Sequence, residues 1–547
     1  MDRRGKTENW SSRLGVIFAV SGSAVGLGNF LRFPGLAAQY GSGAFMIAYF
    51  ISLILIGIPI CWAEWTLGRY AGQRGYNSSP GIFHALLGRP LGKYIGVLGV
   101  VIPVVIYMYY VYIEAWCLGY AWYYVNGQMN LGGEVEAYGN FWSSYVGATE
   151  NGLTFARDQN QVVLFLLIVF TLNFIIIYRG LVKGIEFFCK FAMPALIVLA
   201  LVTLVRVLTL GTPDPGKPEQ SLLNGLGYMW NPGDVGTQLR NPQLWLAAAG
   251  QIFFSLSVGF GVIVTYASYL SEKDDIVLSG LTASSANEFC EVALGGMITV
   301  PAAFVFLGAA GVAGQGTFAL GFKVLPLVFS KMPSPWLFGS VFFFLLFLAA
   351  VTSSLSMLQP GIAFLEEGLG LGRKQSVALL GLLTGTGCLF VVYHSKDLKA
   401  LDTIDFWVGT FLIFVMASVI IVSFGWILGL KKGWVEAHKG AELRIPGFFK
   451  LIIKYLSPLY LLTIFVFWVL FNVLGWDYTT GKFTPAAYVL DLVGPEPNTV
   501  ARLSLCWVAV VIVFFMILSA TAGRRWDNQA GKRTVPTPAN PLPEEPR

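Results

Sequence analysis

Charged residues are scarce in this chain, at 12% of its 547 residues against 55% for hydrophobic residues. This composition excludes an ordinary soluble domain and, with a mean hydropathy of +0.66, indicates an integral membrane protein. The formal net charge of +6 is modest and scattered along the chain, so nucleic acid is not implied as a partner. Membrane lipid is therefore the expected surrounding of the protein.

Histidine and cysteine are also rare. The three histidines lie far apart, and the six cysteines stand singly in or beside apolar runs. This distribution argues against a histidine metal site, a disulfide framework and a cysteine metal cluster. The sequence also contains no nucleophile–histidine pair and no phosphate-binding loop, so an enzyme is the function class that it supports least.

Apolar stretches, in contrast, recur twelve times, and each is long enough to cross about 30 Å of hydrocarbon. They lie near residues 13–39, 43–70, 92–126, 161–179, 187–209, 243–270, 276–307, 337–367, 376–394, 401–429, 449–474 and 498–522. The sequence therefore predicts an all-α integral membrane protein with twelve transmembrane helices. An even number places both termini on one side, where 25 of the 36 Lys and Arg residues then fall. The positive-inside rule makes that side the cytoplasm.

The first apolar stretch contains three glycines within residues 22–29. Each glycine weakens a helix by about 1 kcal/mol relative to alanine, and hydrocarbon offers no partner for a freed backbone group. A break here would expose carbonyls that can hold a cation and, where the helix resumes, N–H groups that can hold an anion. The alternative is that Gly22 and Gly26 form a packing face against another helix.

The sixth stretch has a matching feature, because glycine and serine residues interrupt its middle at residues 251–261. Two interrupted helices in corresponding positions indicate a substrate site at the bilayer midplane, between inverted repeats. The alternative is that the serine hydroxyls only bond back to the preceding helical turn. The expected divisions are a cytoplasmic N-terminal segment (1–12), two five-helix repeats (13–209 and 210–429), the last two helices (430–523) and a disordered tail (524–547). A semi-apolar outer connection (308–336) is expected to pack back as a lid.

Several runs agree in order and spacing with a known family. They are residues 10–13, 22–34, 109–114, 251–269, 287–288, 352–354 and 402–407. Together they resemble the neurotransmitter:sodium symporter (NSS) family, most of all its bacterial leucine transporter branch, from about residue 9 to the end of the twelfth stretch. The resemblance implies the leucine-transporter-type fold of five plus five inverted-repeat helices, with helices 1 and 6 unwound at mid-membrane.

The resemblance also implies a site for a neutral, hydrophobic amino acid at the two breaks. The substrate carboxylate would bind the N–H groups of Leu27 and Gly28 and the Tyr110 hydroxyl. The ammonium would face the carbonyls of Ala24, Phe254 and Ser255 and the Ser257 hydroxyl. The side-chain pocket would consist of Ile106, Tyr110, Phe254, Phe260, Ser353 and Met357. Gly26 stands where monoamine-transporting relatives carry an aspartate, which favours a substrate with its own carboxylate.

Two sodium sites follow from the same resemblance. The first would consist of Ala24, Asn29, Ser255 and Asn287, completed by the substrate carboxylate. The second would consist of Gly22, Val25, Ala349, Thr352 and Ser353. Neutral oxygens suit a monovalent cation that must also leave. Without the resemblance, residues 352–354 would indicate ordinary interhelical hydrogen bonding.

Charged side chains are implied as gates. Arg32 and Asp405 would pair across the outer vestibule, since an unpaired charge at membrane depth costs about 2.5–3.5 kcal/mol. Tyr269 and Glu367 fit the inner gate. Thr7, however, stands where the family has an arginine.

Either Arg4 or Lys6 substitutes for that arginine, or the inner gate is weaker than in the family. The same charges would also serve as anchors under the positive-inside rule. Glu291 lies one helical turn after Asn287. It stands where chloride-dependent relatives carry serine. The resemblance therefore implies transport without chloride, with Glu291 as a group that can carry a proton back.

The expected function is sodium-coupled symport, with two sodium ions per neutral amino acid, by alternating access in a bacterial inner membrane. The alternatives are a proton-coupled amino-acid carrier of the same fold and, from another class, a sodium-dependent sensor or channel. Homodimer formation and the preferred amino acid stay open.

Overall fold

The computed structural model describes residues 10–532 except Arg89, residues 153–160, Pro232, Gly314 and residues 478–479. Within these residues the fold is all-helical, and the one β-bridge, between Trp476 and Phe483, forms no strand. The prediction of an all-α protein is therefore confirmed. Residues 4, 6 and 7, which bear on the inner gate, and residues 533–547 of the tail lie outside the described part.

The helices of the first half are α1 (Arg13–Ala24), α2 (Gly28–Gln39), α3 (Gly43–Gly72), α4 (Ser79–Leu87), α5 (Pro90–Val125), α6 (Val135–Val146), α7 (Val162–Tyr178), α8 (Leu181–Leu208), α9 (Leu222–Trp230) and α10 (Val235–Leu239). Those of the second half are α11 (Pro242–Ser255), α12 (Val262–Ala267), α13 (Ile276–Val312), α14 (Thr317–Ser330), α15 (Pro335–Leu369), α16 (Arg373–Tyr393), α17 (Lys396–Ala437), α18 (Phe449–Val473), α19 (Ala487–Val493) and α20 (Thr499–Lys532).

Nine helices in the described residues are long and apolar enough to cross a membrane, and the α1–α2 pair makes a tenth span that bends by 45°. The molecule is thus a multi-pass membrane protein. Helix α7 is apolar but shorter, and the sixth predicted stretch is divided between α11 and α12. The count of twelve transmembrane helices stays a prediction.

Both interruptions fall where the sequence places them. Helix α1 ends at Ala24, and Val25 adopts an extended conformation (φ −74°, ψ 99°) before α2 begins. Between α11 and α12, Ser257, Gly259 and Gly261 all have φ between 53° and 84°. A side chain at Gly261 would collide with the backbone of Gly99 on α5, so glycine is required there.

Helices α5 and α15 pack against each other along the centre of the molecule. The segment that follows α13, which includes α14, folds back onto them: the hydroxyls of Tyr120 and Tyr124 donate to the carbonyls of Phe322 and Pro326, each at 3.1 Å. Phe322 and Leu327 within this segment are buried. Its apolar side chains therefore join the protein core.

The end of α20 differs from the sequence prediction. Disorder is predicted from residue 524, yet the helix continues to Lys532. The Trp526 ring is 1% exposed and lies 5.5 Å from the His84 ring and 6.3 Å from the Tyr76 ring. Burial of one large apolar side chain contributes about 1.5–3 kcal/mol to stability. The polar, proline-rich composition of the tail does not reveal this tertiary contact of Trp526.

Candidate functional site

The two breaks face each other across a small cavity between α5 and α15. Its lining consists of Ser23, Ala24, Gly26, Gly28, Asn29, Tyr110, Phe254, Ser255, Ser257, Phe260, Ser353 and Met357. Of the residues predicted to contact a substrate, only Leu27 and Ile106 do not line this cavity. No charged side chain lines it, so its polarity comes from backbone groups, hydroxyls and one amide.

The break between α1 and α2 turns backbone N–H groups toward the cavity. The Leu27 N–H donates to the Tyr110 hydroxyl oxygen at 3.2 Å, and the Gly26 N–H donates to the Asn29 amide oxygen at 2.8 Å. A Cβ atom at Gly26 would lie 2.8 Å from the Ser353 hydroxyl and 2.9 Å from that of Tyr110. Glycine therefore keeps this side of the cavity open.

The three side chains of the predicted first sodium site form one hydrogen-bonded group, and Ala24 lines the same cavity. Asn29 donates to the Asn287 amide oxygen at 2.8 Å, and Asn287 donates to the Ser255 hydroxyl at 2.7 Å. The Ser255 hydroxyl in turn donates to Glu291. Neutral oxygens backed by one carboxylate are a donor set that suits a hard monovalent cation.

Glu291 has two further partners that sequence reasoning missed. Gln251 donates to its Oε1 at 2.5 Å, and the Tyr49 hydroxyl lies 2.8 Å from its Oε2 and 2.9 Å from Glu288 Oε2. No cation pairs with Glu291 among the described residues. A hydroxyl has a single proton, so Tyr49 donates to one of the two carboxyl groups at a time.

The residues of the predicted second sodium site meet where α1 packs on α15. The Ser353 hydroxyl lies 3.4 Å from the Gly22 carbonyl, and the Thr352 hydroxyl donates to the Ala349 carbonyl at 3.0 Å. A Cβ atom at Gly22 would lie 3.2 Å from that of Thr352, so glycine permits this approach. Val25, the remaining member, is fully buried at the start of the break.

Glu64, a buried acid of α3, supports the second break. Its Oε1 accepts the N–H of Gly259, a residue in the left-handed conformation, at 2.9 Å. An unwound segment leaves N–H groups without helical partners, and hydrocarbon cannot satisfy them. Glu64 therefore stabilises the interruption between α11 and α12.

The expected outer pair of Arg32 and Asp405 is not formed in the described structure. The Arg32 guanidinium lies 4.6 Å from the centre of the Phe254 ring and donates to Thr410 at 3.5 Å. Asp405 accepts the Tyr109 hydroxyl at 2.6 Å. Both charges thus have other partners, and a cavity of about 330 Å³, lined by Arg32 and Thr410 among others, lies beside them.

The predicted inner gate residues also have other partners. Glu367 Oε2 accepts the N–H groups of Asn77 and Ser78, each at 2.5 Å, next to the start of α4. The Tyr269 hydroxyl accepts from Gln359 at 3.3 Å. Glu367 therefore ties the loop before α4 to the end of α15 through one carboxylate oxygen.

Arg13, at the start of α1, is a cation that the sequence did not single out as a gate. It pairs with Glu442 at 2.7 Å and with Asp275 at 3.5 Å. The Trp10 indole N–H donates to the Tyr266 carbonyl at 3.1 Å. These contacts hold the start of α1 against α12 and against the segments that follow α12 and α17.

Comparisons with known proteins agree with this arrangement. The model of the sodium:neurotransmitter symporter family matches residues 7–131 and 125–521. An uncharacterised sodium-dependent transporter of Methanocaldococcus jannaschii is 29% identical over 515 residues, which is 90% of this chain and 98% of the relative. The mouse sodium-dependent neutral amino acid transporter B(0)AT1 is 27% identical over 53% of this chain and 46% of its own length.

Among solved structures, MhsT in complex with L-phenylalanine is similar, with a TM-score of 0.72 and 28% sequence identity over 84% of this chain and 99% of MhsT. The fold predicted from the NSS resemblance is thereby confirmed. Because the family match extends over most of the sequence, the chain belongs to the sodium:neurotransmitter symporter family, whose members are secondary transporters rather than enzymes.

Proposed function

We propose that this protein is a sodium-coupled symporter that imports a neutral, hydrophobic amino acid by alternating access, with two sodium ions per substrate. The observation that carries the proposal is the meeting of two broken helices across a cavity with no charged side chain in its lining. Such a cavity suits a zwitterion, since the freed backbone groups offer both donors and acceptors. The names of B(0)AT1 and of the MhsT complex point to the same substrate class.

In this proposal the substrate carboxylate binds at the N–H groups of Leu27 and Gly28 and at the Tyr110 hydroxyl. Its ammonium binds opposite, at the carbonyls of Ala24, Phe254 and Ser255 and at the Ser257 hydroxyl. Ile106, Phe260, Ser353 and Met357 complete the pocket for the side chain. The ring of Phe254 lies 5.8 Å from that of Phe260, which gives the pocket an aromatic wall.

The first sodium ion binds at Ala24, Asn29, Ser255 and Asn287, and the substrate carboxylate completes its ligands. The second binds at Gly22, Val25, Ala349, Thr352 and Ser353, and so ties α1 to α15. Support comes from the buried, neutral oxygen atoms that these residues bring together. A ligand that binds one conformation better shifts the population toward it, so the second ion favours the state in which α1 and α15 touch.

Transport without chloride is part of the proposal, because Glu291 already places a carboxyl beside Asn287, at 3.3 Å. The family includes chloride-dependent members, such as human XTRP3, which is 30% identical over 52% of this chain. The gates are proposed to form in conformations other than the one described. Arg32 and Asp405 would form the outer gate, and Tyr269 and Glu367 would belong to the inner gate. We also propose that the protein resides in a bacterial inner membrane, with both termini in the cytoplasm.

Uptake into proteoliposomes tests the function. Purified protein is reconstituted, and entry of tritiated L-leucine and L-phenylalanine is followed under an inward sodium gradient. The comparison is an inward proton gradient with potassium in place of sodium. Saturable uptake that requires sodium is expected. Uptake driven by protons alone would show a proton-coupled carrier instead, and flux that does not saturate would show a channel.

A further inference from the structure

We propose that Ser23 and Ser356 are positioning residues of the substrate site, which orient the Ser257 hydroxyl so that its oxygen accepts a hydrogen bond from the substrate ammonium. Ser23 lies in the last turn of α1, Ser356 on α15 and Ser257 in the break between α11 and α12. The inference rests on the proposed function, because it assigns the cationic end of an amino acid to this corner of the cavity.

Two short hydrogen bonds connect these serines, and a third joins Ser356 to the carbonyl of Ser353 on its own helix. The Ser23 hydroxyl lies 2.8 Å from the Ser356 hydroxyl, which donates to the Ser353 carbonyl at 2.7 Å. The Ser257 hydroxyl donates to the Ser23 carbonyl at 2.9 Å. Ser23 and Ser257 are 5% exposed and Ser356 is 1% exposed, so water does not offer them a ready alternative.

The direction of each bond follows from counting protons. A hydroxyl has one proton to donate, and Ser356 uses its own on the Ser353 carbonyl. The bond between Ser23 and Ser356 is therefore donated by Ser23, whose proton is then not free for the Ser257 oxygen at 3.4 Å. Ser257 gives its proton to the Ser23 carbonyl, and the lone pairs of its oxygen remain for a donor in the cavity.

The backbone explains why Ser257 needs such support. Its φ of 53° lies in the left-handed region, which costs a residue with a Cβ atom roughly 1–2 kcal/mol. The Ser23 carbonyl is available because the helix stops one residue later, at Ala24. The break in α1 thus supplies the acceptor that holds the break in the sixth segment, and α15 fixes both.

This arrangement gives the cavity a polarity. The Ser257 corner presents acceptors, whereas the Tyr110 hydroxyl, which accepts the Leu27 N–H, lines the other side and can donate its own proton. An amino acid is expected to bind in one orientation, with its ammonium toward Ser257. Loss of either the Ser23 or the Ser356 hydroxyl breaks the 2.8 Å bond that fixes the end of α1 to α15. The Ser23 carbonyl that orients Ser257 is then held less firmly, and the preference for one orientation weakens.

A double-mutant cycle tests the inference. Binding of tritiated L-leucine and L-phenylalanine in saturating sodium is compared for wild type, Ser23→Ala, Ser356→Ala and the double variant. Each single change is expected to raise Kd about fivefold, the loss of one buried neutral hydrogen bond, and the double variant about as much as either single one. In uptake, KM is expected to rise by a similar factor while the maximal rate stays within about twofold.

Ser21→Ala is the matched control. Ser21 is buried on the same helix, but its hydroxyl has no hydrogen-bond partner among the described residues, so its removal is expected to leave Kd unchanged. Should Ser23→Ala fail to fold, Ser356→Ala on a different helix carries the test alone.

Additive losses in the double variant, or an effect of Ser21→Ala as large as that of Ser23→Ala, would overturn the inference. A Ser356→Ala variant that binds like wild type would do so as well. A wild-type protein that binds neither amino acid in sodium would instead refute the proposed function.

Discussion

At the scale of single residues, the amide oxygens of Asn29 and Asn287 are only partly used in hydrogen bonds. Each oxygen accepts one N–H, from Gly26 and from Asn29 respectively. An amide oxygen has two lone pairs, so each retains one for a cation. Sodium can therefore bind at this point without disrupting the hydrogen bonds that hold the two side chains in place.

The Thr352 hydroxyl tests the proposed second sodium site. Thr352→Val removes the oxygen with little change in volume and is expected to raise the half-saturating sodium concentration about tenfold, equivalent to about 1.4 kcal/mol. Thr203→Val is the matched control, since Thr203 is equally buried and its hydroxyl only bonds back to Leu199 on α8. Sodium titration of amino-acid binding is the measurement. Equal sodium affinity in both variants would refute the assignment of Thr352.

Glu291 gives a second prediction at this scale. Glu291→Ser removes the carboxyl that accepts from Ser255 and Gln251. Because the site then lacks its fixed negative charge, uptake is expected to fall at least tenfold in gluconate and to recover when chloride is added. Wild type in the two anions is the control. Chloride dependence of the wild type, or no recovery of Glu291→Ser in chloride, would contradict this role.

At the scale of elements, the break between α11 and α12 depends on glycines in the left-handed conformation. Gly261→Ala places a side chain against the Gly99 backbone at φ 84° and is expected to cost more than 1 kcal/mol of stability. Gly250→Ala is the control, since space around Gly250 in α11 is open, and it is expected to be neutral or stabilising by about 1 kcal/mol. Thermal unfolding of the purified variants measures both. A melting temperature of Gly261→Ala equal to that of wild type would show that the break tolerates a helical path.

The sequence predicts some features at this scale better than others. Glycine spacing in residues 22–29 and 251–261 locates both interruptions, because the cost of glycine in a helix is local. The partners of Glu291 and the link from Ser23 to Ser356 depend on which faces of three helices meet, and spacing within one segment does not contain that information. The gate roles of Arg32 and Glu367 come from the family resemblance, which does not contain the contacts of this conformation either: here Arg32 lies over a nearby ring and Glu367 accepts two loop N–H groups.

At the scale of the whole molecule, two sodium ions with a zwitterion would move two positive charges per cycle. A potential of 100 mV then supplies about 4.6 kcal/mol, or roughly a thousandfold accumulation. In proteoliposomes with a potassium diffusion potential, negative inside, accumulation is expected to rise steeply with the potential at a fixed sodium gradient. A returning proton would halve the effect. Accumulation that does not respond to the potential would exclude a net movement of charge.

The most direct test of the central claim is equilibrium binding of a tritiated neutral amino acid to the purified protein as sodium replaces potassium. The claim is that the backbone and side chains freed at the two breaks bind the amino acid and sodium together. Saturable binding that appears only with sodium, and that requires about tenfold more sodium in Asn29→Ala, is the predicted result. Binding that is equal in potassium, or a sodium dependence that Asn29→Ala leaves unchanged, would contradict the account.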